Sequence, residues 1–319
     1  MKIIQSFWTG NVSNTAKTYG WLSSKYHYLG WILSVNQLKK FYSEVELVTD
    51  TYGYNILIEK LNLPYSKVHV ILDSLNEYNE NLWALAKISA YKFMKFPFLH
   101  VDGDVFIWKP FDSKLLASGL IAQNLERTTD HYRNMWRPIS KKLPYIPSLM
   151  KNYHKGIHNQ AYNMGIFGGI DLAFIKQYTN KSFEFVNKNS TVHDNINAFN
   201  FNVFFEQVLF YELVKSKNKE VSCLWQKEVK DNEYEDMGNF HEIPFKRTYL
   251  HLLGDFKRMH HVCLSLENEV LSQYPKYYKK LENITNCSKP LSSFGYRYTT
   301  THNKVLKREY LKKTSQLKS

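Results

Sequence analysis

Two carboxylates separated by one glycine offer the clearest chemistry in this sequence. Asp102 and Asp104 flank Gly103, directly after the apolar run 98–101. An extended backbone would place both side chains on one side, and adjacent carboxylates repel each other unless a cation joins them. Mg²⁺ and Mn²⁺ prefer oxygen ligands of this kind and also bind substrate phosphates. We therefore predict a divalent metal site here; the alternative is an ordinary Asp-Gly-Asp turn.

A second candidate element begins at His251, in the stretch HLLGDFK. An imidazole nitrogen can complete the ligand set of a carboxylate-bound ion. Gly254 lets the backbone approach a phosphate closely, and Lys257 supplies a compact positive charge for it. The alternative is a histidine with a purely structural role, since the chain contains 12 histidines.

The elements that must position these residues follow from the apolar pattern. Short apolar runs alternate with runs of helical spacing in the order β-α-β-β-α-β, which favours an α/β fold with a mostly parallel, helix-covered sheet. Ligands of such sheets bind beyond the carboxyl ends of the strands, and Asp50 and Asp102 each follow a strand directly. Strands are predicted at 2–7, 45–49, 67–72, 98–101, 161–170 and 247–253, and helices at 31–41, 81–95 and 202–214.

The segment 127–158 does not fit this alternation. It combines several basic residues with Pro138, Pro144 and Pro147. We predict an irregular excursion from the sheet that approaches the site on the acceptor side.

The net charge of +13 is concentrated at the C-terminal end. Residues 274–319 hold eleven Lys or Arg against two Glu, and the preceding residues hold 31 against 27. A nearly balanced body without a recognisable nucleic-acid motif argues against a nucleic-acid-binding protein. The basic tail is interleaved with tyrosines and predicts peripheral contact with an anionic membrane; equal flotation on anionic liposomes without the tail would contradict this.

The remaining composition favours a cytoplasmic protein. Cys223, Cys263 and Cys287 are far apart and form no CxxC pair, which argues against a disulfide framework or a zinc cluster. A reducing compartment is the simplest inference. The sequence shows no signal-peptide pattern and no long apolar span.

Three elements in this order resemble the GT-A-fold glycosyltransferases, and most closely the retaining enzymes of family eight, which include glycogenin-like and lipopolysaccharide galactosyltransferase-like enzymes. These elements are HVDGDVFIWKPF at 100–111, YNMGIFGGI at 162–170 and HLLGDFK at 251–257. The resemblance covers residues 1 to about 260. It implies a GT-A (Rossmann-like) mixed sheet in a domain over 1–265, followed by a basic extension over 266–319.

The resemblance also implies roles for individual residues. The metal, Mn²⁺ or Mg²⁺, would be bound by Asp102, Asp104 and His251. Lys87 stands where the family usually has an arginine near the donor. The other donor-binding residues would be Gln5, Phe7 and Asp50 beside the nucleoside, Gly103 in the metal motif, Asn163 and Gly165 near the sugar, and Gly254 and Lys257 at the diphosphate.

Glu206 and Gln207 resemble the acid-Gln pair that lies near the reacting carbon in this family. Val208 stands where the family has a second acid, and Arg258 stands where it often has Pro-Trp. The resemblance implies hexose transfer from a UDP-sugar to a glycan or lipid-linked acceptor with retention. If the reaction instead inverts, Glu206 or Asp171 would be the base. The alternatives are a metal-dependent phosphohydrolase of nucleotides and an inactive glycosyltransferase-like binding module.

Overall fold

Ten short strands lie in the part of the chain that the structure, a computed structural model, describes: residues 1–10, 16–127, 130–230 and 233–285. They are β1 Lys2–Phe7, β2 Val45–Thr49, β3 Lys67–Val70, β4 Phe98–Val101, β5 Val105–Ile107, β6 Ile121–Arg127, β7 Gln160–Gly169, β8 Ser222–Cys223, β9 Val229–Lys230 and β10 Tyr249–His251.

Eight of these strands form one mixed sheet in the order β3-β2-β1-β4-β7-β6-β8, with β9 paired to β6. The first four strands of that order run parallel, and β7 runs antiparallel to both β4 and β6. β5 and β10 form a separate antiparallel pair. The predicted α/β class with a mixed, mostly parallel sheet is confirmed.

The helices cover this sheet. They are α1 Ser24–Phe41, α2 Thr51–Tyr54, α3 Ala84–Phe93, α4 Ser113–Leu116, α5 Asp130–Ser140, α6 Lys151–His154, α7 Leu172–Asn187, α8 Ala198–Val203, α9 Leu209–Ser216, α10 His260–Gln273 and α11 Pro275–Thr285. Two π-helical segments, Asn55–Lys60 and Phe204–Val208, continue α2 and join α8 to α9. Short 3-10 turns lie at Leu72–Leu75, Ser148–Met150, Ser190–Asn195, Phe240–Glu242 and Gly254–Arg258.

Alternation along the strands buries apolar side chains on both faces of the sheet. Ile3 and Leu99 lie in one core, together with side chains of α1 and α10. Ile4 and Phe98 lie in the other core, with α3, α7 and α9. Because successive strand residues point to opposite faces, neighbouring positions alternate between the two cores. This double burial holds the strand ends in fixed positions for the site.

The segment between β6 and β7 differs from the prediction. We expected an irregular excursion over 127–158, and instead α5, a short 3-10 turn and α6 occupy much of it. Pro138 lies in the last turn of α5 rather than ending the helix before it. Tyr132, Trp136 and Ile139 of α5 are buried, and this packing outweighs the helix-breaking tendency of the proline.

The C-terminal helices pack onto the first helix, since both α10 and α11 contact α1. Lys25 of α1 pairs with Glu267 of α10 and donates to Tyr278 of α11 over 2.9 Å. α10 runs through residue 265, and the domain boundary placed there stays a prediction. Of the predicted basic extension over 266–319, the structure describes residues up to Thr285, and the remainder, with most of the predicted membrane-contacting tail, lies outside the described residues. Within the described ranges, no helix is both long and apolar enough to cross a membrane.

Candidate metal site

The Asp-Gly-Asp motif lies at the carboxyl ends of the parallel strands. β1 pairs with β2 on one side and with β4 on the other, so Phe7, Thr49 and Val101 end at the same edge of the sheet. Asp102 follows β4 directly, and its backbone N–H donates to the carbonyl of Gly165 on β7 over 2.9 Å. The motif is thereby tied to two neighbouring strands at the edge where ligands of α/β sheets bind.

The backbone turns at this motif rather than staying extended. The N–H of Val105 donates to the carbonyl of Asp102 over 3.1 Å and closes the turn. A Cβ at Gly103 would lie 2.6 Å from the indole ring of Trp31, so only glycine fits there. The two carboxylates converge through this turn, and the alternation of an extended strand is not the cause.

β10 brings His251 to the same place. It pairs with β5, which begins directly after the motif, so that His251 lies opposite Val105. The N–H of Leu252 also donates to the carbonyl of Asp104 over 3.0 Å. Ligand atoms of Asp102, Asp104 and His251 all lie within 4.8 Å of one another. Two carboxylates and one imidazole suit a divalent ion such as Mn²⁺ or Mg²⁺, and the residues fit the group that the sequence predicts. We call these three residues and Lys257 the metal-side cluster.

Lysines balance the carboxylates of this cluster. Lys257 forms an ion pair with Asp104. Burial raises the pKa of Asp102 to about 7, although Lys87 beside it acts in the opposite direction. Burial would also raise the pKa of Asp104, but Lys257 and His251 outweigh it and lower that pKa. Burial lowers the pKa of His251 to about 4, so its imidazole is neutral near pH 7, as metal binding requires.

Lys87 connects the metal motif with the predicted catalytic pair. Its Nζ lies 3.1 Å from Asp102, 2.6 Å from Oε1 of Glu206 and 2.9 Å from the carbonyl of Met164. Burial opposes its charge, but Asp102 and Glu206 outweigh burial and raise its pKa. Glu206 is fully buried in the π-helical segment, and burial raises its pKa against the effect of Lys87. π-helical turns of this kind are frequent at functional sites.

A second polar cluster lies beside Gln207. Glu126 of β6 is buried and accepts hydrogen bonds from Tyr132, Tyr234 and, over 3.0 Å, the amide of Asn163. Tyr132 also lies 3.0 Å from Oε1 of Gln207. The negative charge of Glu126 contributes to the raised pKa of Glu206. We call these five residues, Glu126, Tyr132, Asn163, Gln207 and Tyr234, the phenol cluster.

The residues expected beside the nucleoside occupy the ends of β1 and β2. Gln5 is fully buried, donates to Ser34 over 2.9 Å and accepts from Tyr65 over 2.8 Å. Asp50 is also fully buried, and its carboxylate accepts hydrogen bonds from Gly53 and Thr9. Asp50 therefore joins the loops that follow β1 and β2, whereas Gln5 joins β1 to α1 and to the segment before β3.

Phe7 is also buried, and it contacts Tyr19, His27 and Trp31. It belongs to an aromatic layer below the metal motif. Because its ring is packed among these neighbours, its place near a nucleoside stays a prediction.

The local structure explains why two of the predicted donor-binding positions are glycines. Gly254 has a φ of +53°, a conformation that glycine adopts without strain, and it starts the turn that carries Lys257. A Cβ at Gly165 would lie 2.4 Å from both Gln123 and His251. Contact of either glycine with a donor stays a prediction.

Asp171, the other base considered for an inverting reaction, has a structural role. Its carboxylate caps α7 by accepting from the N–H of Phe174 over 3.0 Å, and it pairs with Lys219 at 2.7 Å. The Asp171 carboxylate therefore serves as the N-cap of α7. Among the two candidate bases, only Glu206 contacts another predicted site residue in the described part of the chain.

Sequence reasoning missed the polar face of β6. Gln123, Asn124 and Glu126 are buried within four positions, and two of them contact predicted site residues. Three polar residues in a short run that begins with apolar Ile121 are a detectable signal, because buried strands are normally apolar. Because these polar residues interrupt the apolar pattern, the sequence does not predict a strand at 121–127.

The chain belongs to a family of unknown function, DUF6734, whose model matches residues 1–284. No curated protein matches this chain by sequence.

Several solved structures are similar to it. The glycosyltransferase GlyE of Streptococcus pneumoniae TIGR4 is similar with a TM-score of 0.43 and 11% identity, over 92% of this chain and 65% of GlyE. The galactosyltransferase LgtC, in complex with donor and acceptor sugar analogs, has a TM-score of 0.39 and 12% identity, over 91% of this chain and 98% of LgtC. Mouse xyloside xylosyltransferase 1 has a TM-score of 0.37 and 10% identity, over 70% and 84% of the two chains.

Proposed function

We propose that this protein is a metal-dependent glycosyltransferase that moves a hexose from a nucleotide-diphosphate sugar to a glycan or lipid-linked acceptor. The observation that carries the proposal is the convergence of Asp102, Asp104 and His251 at the carboxyl edge of the sheet. Lys257 of the same cluster supplies the positive charge that a diphosphate needs. The resemblance of the three sequence elements to retaining GT-A enzymes of family eight favours a UDP-sugar as donor.

The roles of the residues follow from their surroundings. When bound, the divalent ion neutralises negative charge that develops on the diphosphate as it leaves. The Lys257 ammonium is partly exposed and can turn toward a phosphate oxygen, where it would stabilise the same charge. Hydrogen-bonded groups fixed before the reaction need no reorganisation when that charge appears.

The reacting carbon would lie between the metal-side cluster and Glu206-Gln207. Lys87 pairs with Glu206, and the Tyr132 hydroxyl, which donates its hydrogen to Glu126, lies 3.0 Å from the side chain of the half-buried Gln207. We propose that Gln207 and Glu206 stabilise positive charge on the sugar as the leaving group departs. In a retaining reaction the leaving phosphate takes the acceptor proton, so no strong general base is required.

Calorimetry tests the donor site directly. UDP-glucose, UDP-galactose, UDP-N-acetylglucosamine and a GDP-sugar are titrated into the protein with and without Mn²⁺. One donor is expected to bind only with Mn²⁺, and Asp104→Ala should weaken that binding at least about 100-fold, because the ion links protein and diphosphate. Asp194→Ala is the matched control, since this exposed carboxylate accepts a hydrogen bond from Asn79 over 2.9 Å and belongs to neither the metal motif nor the predicted donor-binding residues.

The outcomes separate the alternatives. Failure of every donor to bind with Mn²⁺ present would contradict the proposal and favour an inactive binding module. Metal-dependent release of phosphate from a free nucleotide, without sugar transfer, would instead identify a phosphohydrolase. Equal weakening by Asp104→Ala and Asp194→Ala would contradict a specific role of Asp104 in donor binding.

A further inference from the structure

Gln123 of β6 is a fully buried amide that contacts the predicted metal ligand His251. Its Oε1 lies 2.7 Å from Nδ1 of His251 and 2.6 Å from the hydroxyl of Tyr249. β6 and β7 change register between Ala122 and Asn124, and such irregularities re-aim side chains. Gln123 lies at this irregularity, which turns it toward β10.

The neighbouring hydrogen bonds fix which end of the Gln123 amide faces His251. The carbonyl of Leu125 can only accept, so Nδ2 of Asn124, 3.0 Å away, must donate to it. This leaves Oδ1 of Asn124 as an acceptor for Nε2 of Gln123 at 3.1 Å. Oε1 of Gln123 is therefore the atom that faces His251 and Tyr249.

The orientation of Gln123 determines where the proton of His251 lies. Because Oε1 can only accept, Nδ1 of His251 must carry the hydrogen, and Nε2 keeps its lone pair. Nε2 lies 3.5 Å from Oδ1 of Asp104. Two acceptors that face each other are unfavourable alone and suit a cation between them. A metal-bound histidine commonly donates its other N–H in this way.

Gly165 makes room for this hydrogen bond. A Cβ at that position would lie 2.4 Å from Oε1 of Gln123 and 2.4 Å from Nδ1 of His251. Its carbonyl also accepts from the N–H of Asp102 over 2.9 Å. One glycine on β7 thus supports both the carboxylate motif and the histidine.

We propose that Gln123 is a positioning residue for the metal, which holds His251 with Nε2 unprotonated and aimed at the ion. This inference rests on the proposed metal-dependent function and assigns a role to a residue outside the three ligands. Tyr249 assists by donating to the same oxygen, and Gly165 keeps the path open.

Manganese binding measured by electron paramagnetic resonance tests the inference, because bound Mn²⁺ loses the signal of the free ion. Gln123→Met keeps the size of the side chain and removes the acceptor, so Mn²⁺ affinity should fall about 10- to 100-fold. Gln123→Glu keeps an acceptor and should bind Mn²⁺ more tightly than Gln123→Met. Gln37→Met is the matched control, because Gln37 is a buried glutamine of α1 whose side chain donates to Gln273, away from the ligands. It should bind Mn²⁺ like the wild type.

A second measurement reads the histidine directly. Nitrogen-15 chemical shifts of His251 in the metal-free protein should show a protonated Nδ1 in the wild type and a mixture of tautomers in Gln123→Met. Gly165→Ala leaves Gln123 intact and should weaken Mn²⁺ binding in the same direction, which keeps the test decisive if Gln123→Met does not fold.

The failures of the two proposals are distinguishable. A wild type that binds no Mn²⁺ contradicts the proposed function. A wild type that binds Mn²⁺ as tightly as Gln123→Met and Gly165→Ala, or one with protonated Nε2, overturns the role of Gln123 and leaves the metal site standing.

Discussion

Lys87 pairs with Asp102 of the metal-side cluster and with Glu206, which precedes Gln207 of the phenol cluster. The protein stabilises these two clusters in different ways. In the metal-side cluster, carboxylates face cations, and Lys257 pairs with Asp104 while Lys87 pairs with Asp102. In the phenol cluster, Glu126 accepts hydrogen bonds from neutral donors, the hydroxyls of two tyrosines and the amide of Asn163. In the first arrangement, a carboxylate can exchange its lysine partner for a metal ion, and the lysine can then pair with a phosphate. The second has its hydrogen bonds already directed at one carboxylate.

The difference indicates a division of labour within one site. Charged pairs can be rearranged when a charged ligand arrives, because each partner finds a new counter-charge. Neutral donors around a buried carboxylate keep their geometry, because leaving any of them unpaired costs free energy. We infer that the metal-side cluster can adapt to the diphosphate of the proposed donor, while the phenol cluster keeps a constant geometry beside Gln207.

The largest expected effect comes from removing the cation between the clusters. Lys87→Met leaves Glu206 buried and unpaired, and breaking a buried ion pair in this way typically costs about 3–5 kcal/mol. Urea unfolding should show this loss in the free energy of unfolding. The double variant Lys87→Met/Glu206→Gln removes the uncompensated charge and should recover most of it.

Lys92→Met is the matched control for this prediction. Lys92 lies on the same helix and its Nζ lies over the ring of Phe183, away from both clusters. The control should lose less than about 1 kcal/mol, as exposed cation–π contacts do. A loss of the same size in Lys87→Met and Lys92→Met would show that the buried ion pair of Lys87 contributes no more to stability than an exposed contact. The contrast between the two clusters would then have no energetic basis.

The two clusters also differ in how far the sequence predicts them. Asp102 and Asp104 can be predicted because they lie two positions apart directly after an apolar strand, and His251 can be predicted from its spacing to Gly254 and Lys257. The bridge from Lys87 to Glu206 depends on how α3 packs beside a π-helical turn, which no local pattern encodes. The phenol cluster is assembled from β6, α5, β7, the π-helical segment Phe204–Val208 and a loop, so its members share no common spacing. Only Asn163 and Gln207 among them are predicted, through the family resemblance.

The strands themselves were predicted well where apolar periodicity is strong. β1, β2 and β4 match the predicted runs, because both faces of these strands are buried. β6 was missed because Gln123, Asn124 and Glu126 interrupt its apolar run. α5 was missed because Pro138 and its polar exposed face hide an otherwise regular helix. Tertiary burial outweighs local preference in both cases.

A smaller effect on stability is expected from His27, which lies in the aromatic layer with Phe7, Tyr19 and Trp31 and not in the metal-side cluster. His27 packs against Phe7, Tyr19 and Trp31, and burial lowers its pKa to about 3 from 6.5. Because the folded-state pKa is depressed, its contribution to stability is complete above about pH 6.5 and is lost as the pH falls toward 3. At pH 5 the expected loss is about 2 kcal/mol.

The measurement compares the free energy of unfolding at pH 7 and pH 5. His27→Leu removes the titrating group, so its loss between these pH values should be about 2 kcal/mol smaller than that of the wild type. His261→Leu, at an exposed position of α10, is the control and should keep the wild-type pH dependence. If His27→Leu also keeps it, the histidine does not resist protonation and the aromatic layer is open to water.

The smallest expected effect tests whether the two clusters act independently. Glu126→Gln keeps the shape of the side chain and an acceptor oxygen but removes the charge. Hydrogen bonds to charged groups exceed neutral ones by about 1 kcal/mol, so the free energy of unfolding should fall by about that amount. The hydrogen bonds of Glu126 described above join it to Tyr132, Tyr234 and Asn163 and not to the three predicted ligands, so Mn²⁺ affinity should stay within about twofold of the wild type. A tenfold weaker Mn²⁺ affinity would instead show that the two clusters are coupled. The structure contains a chain of hydrogen bonds between them. Tyr234 contacts both Glu126 and Asn124, Asn124 accepts from Gln123, and Gln123 accepts from His251. In that event the phenol cluster would orient the metal ligand as well as Gln207, and the division of labour between the clusters would have to be abandoned.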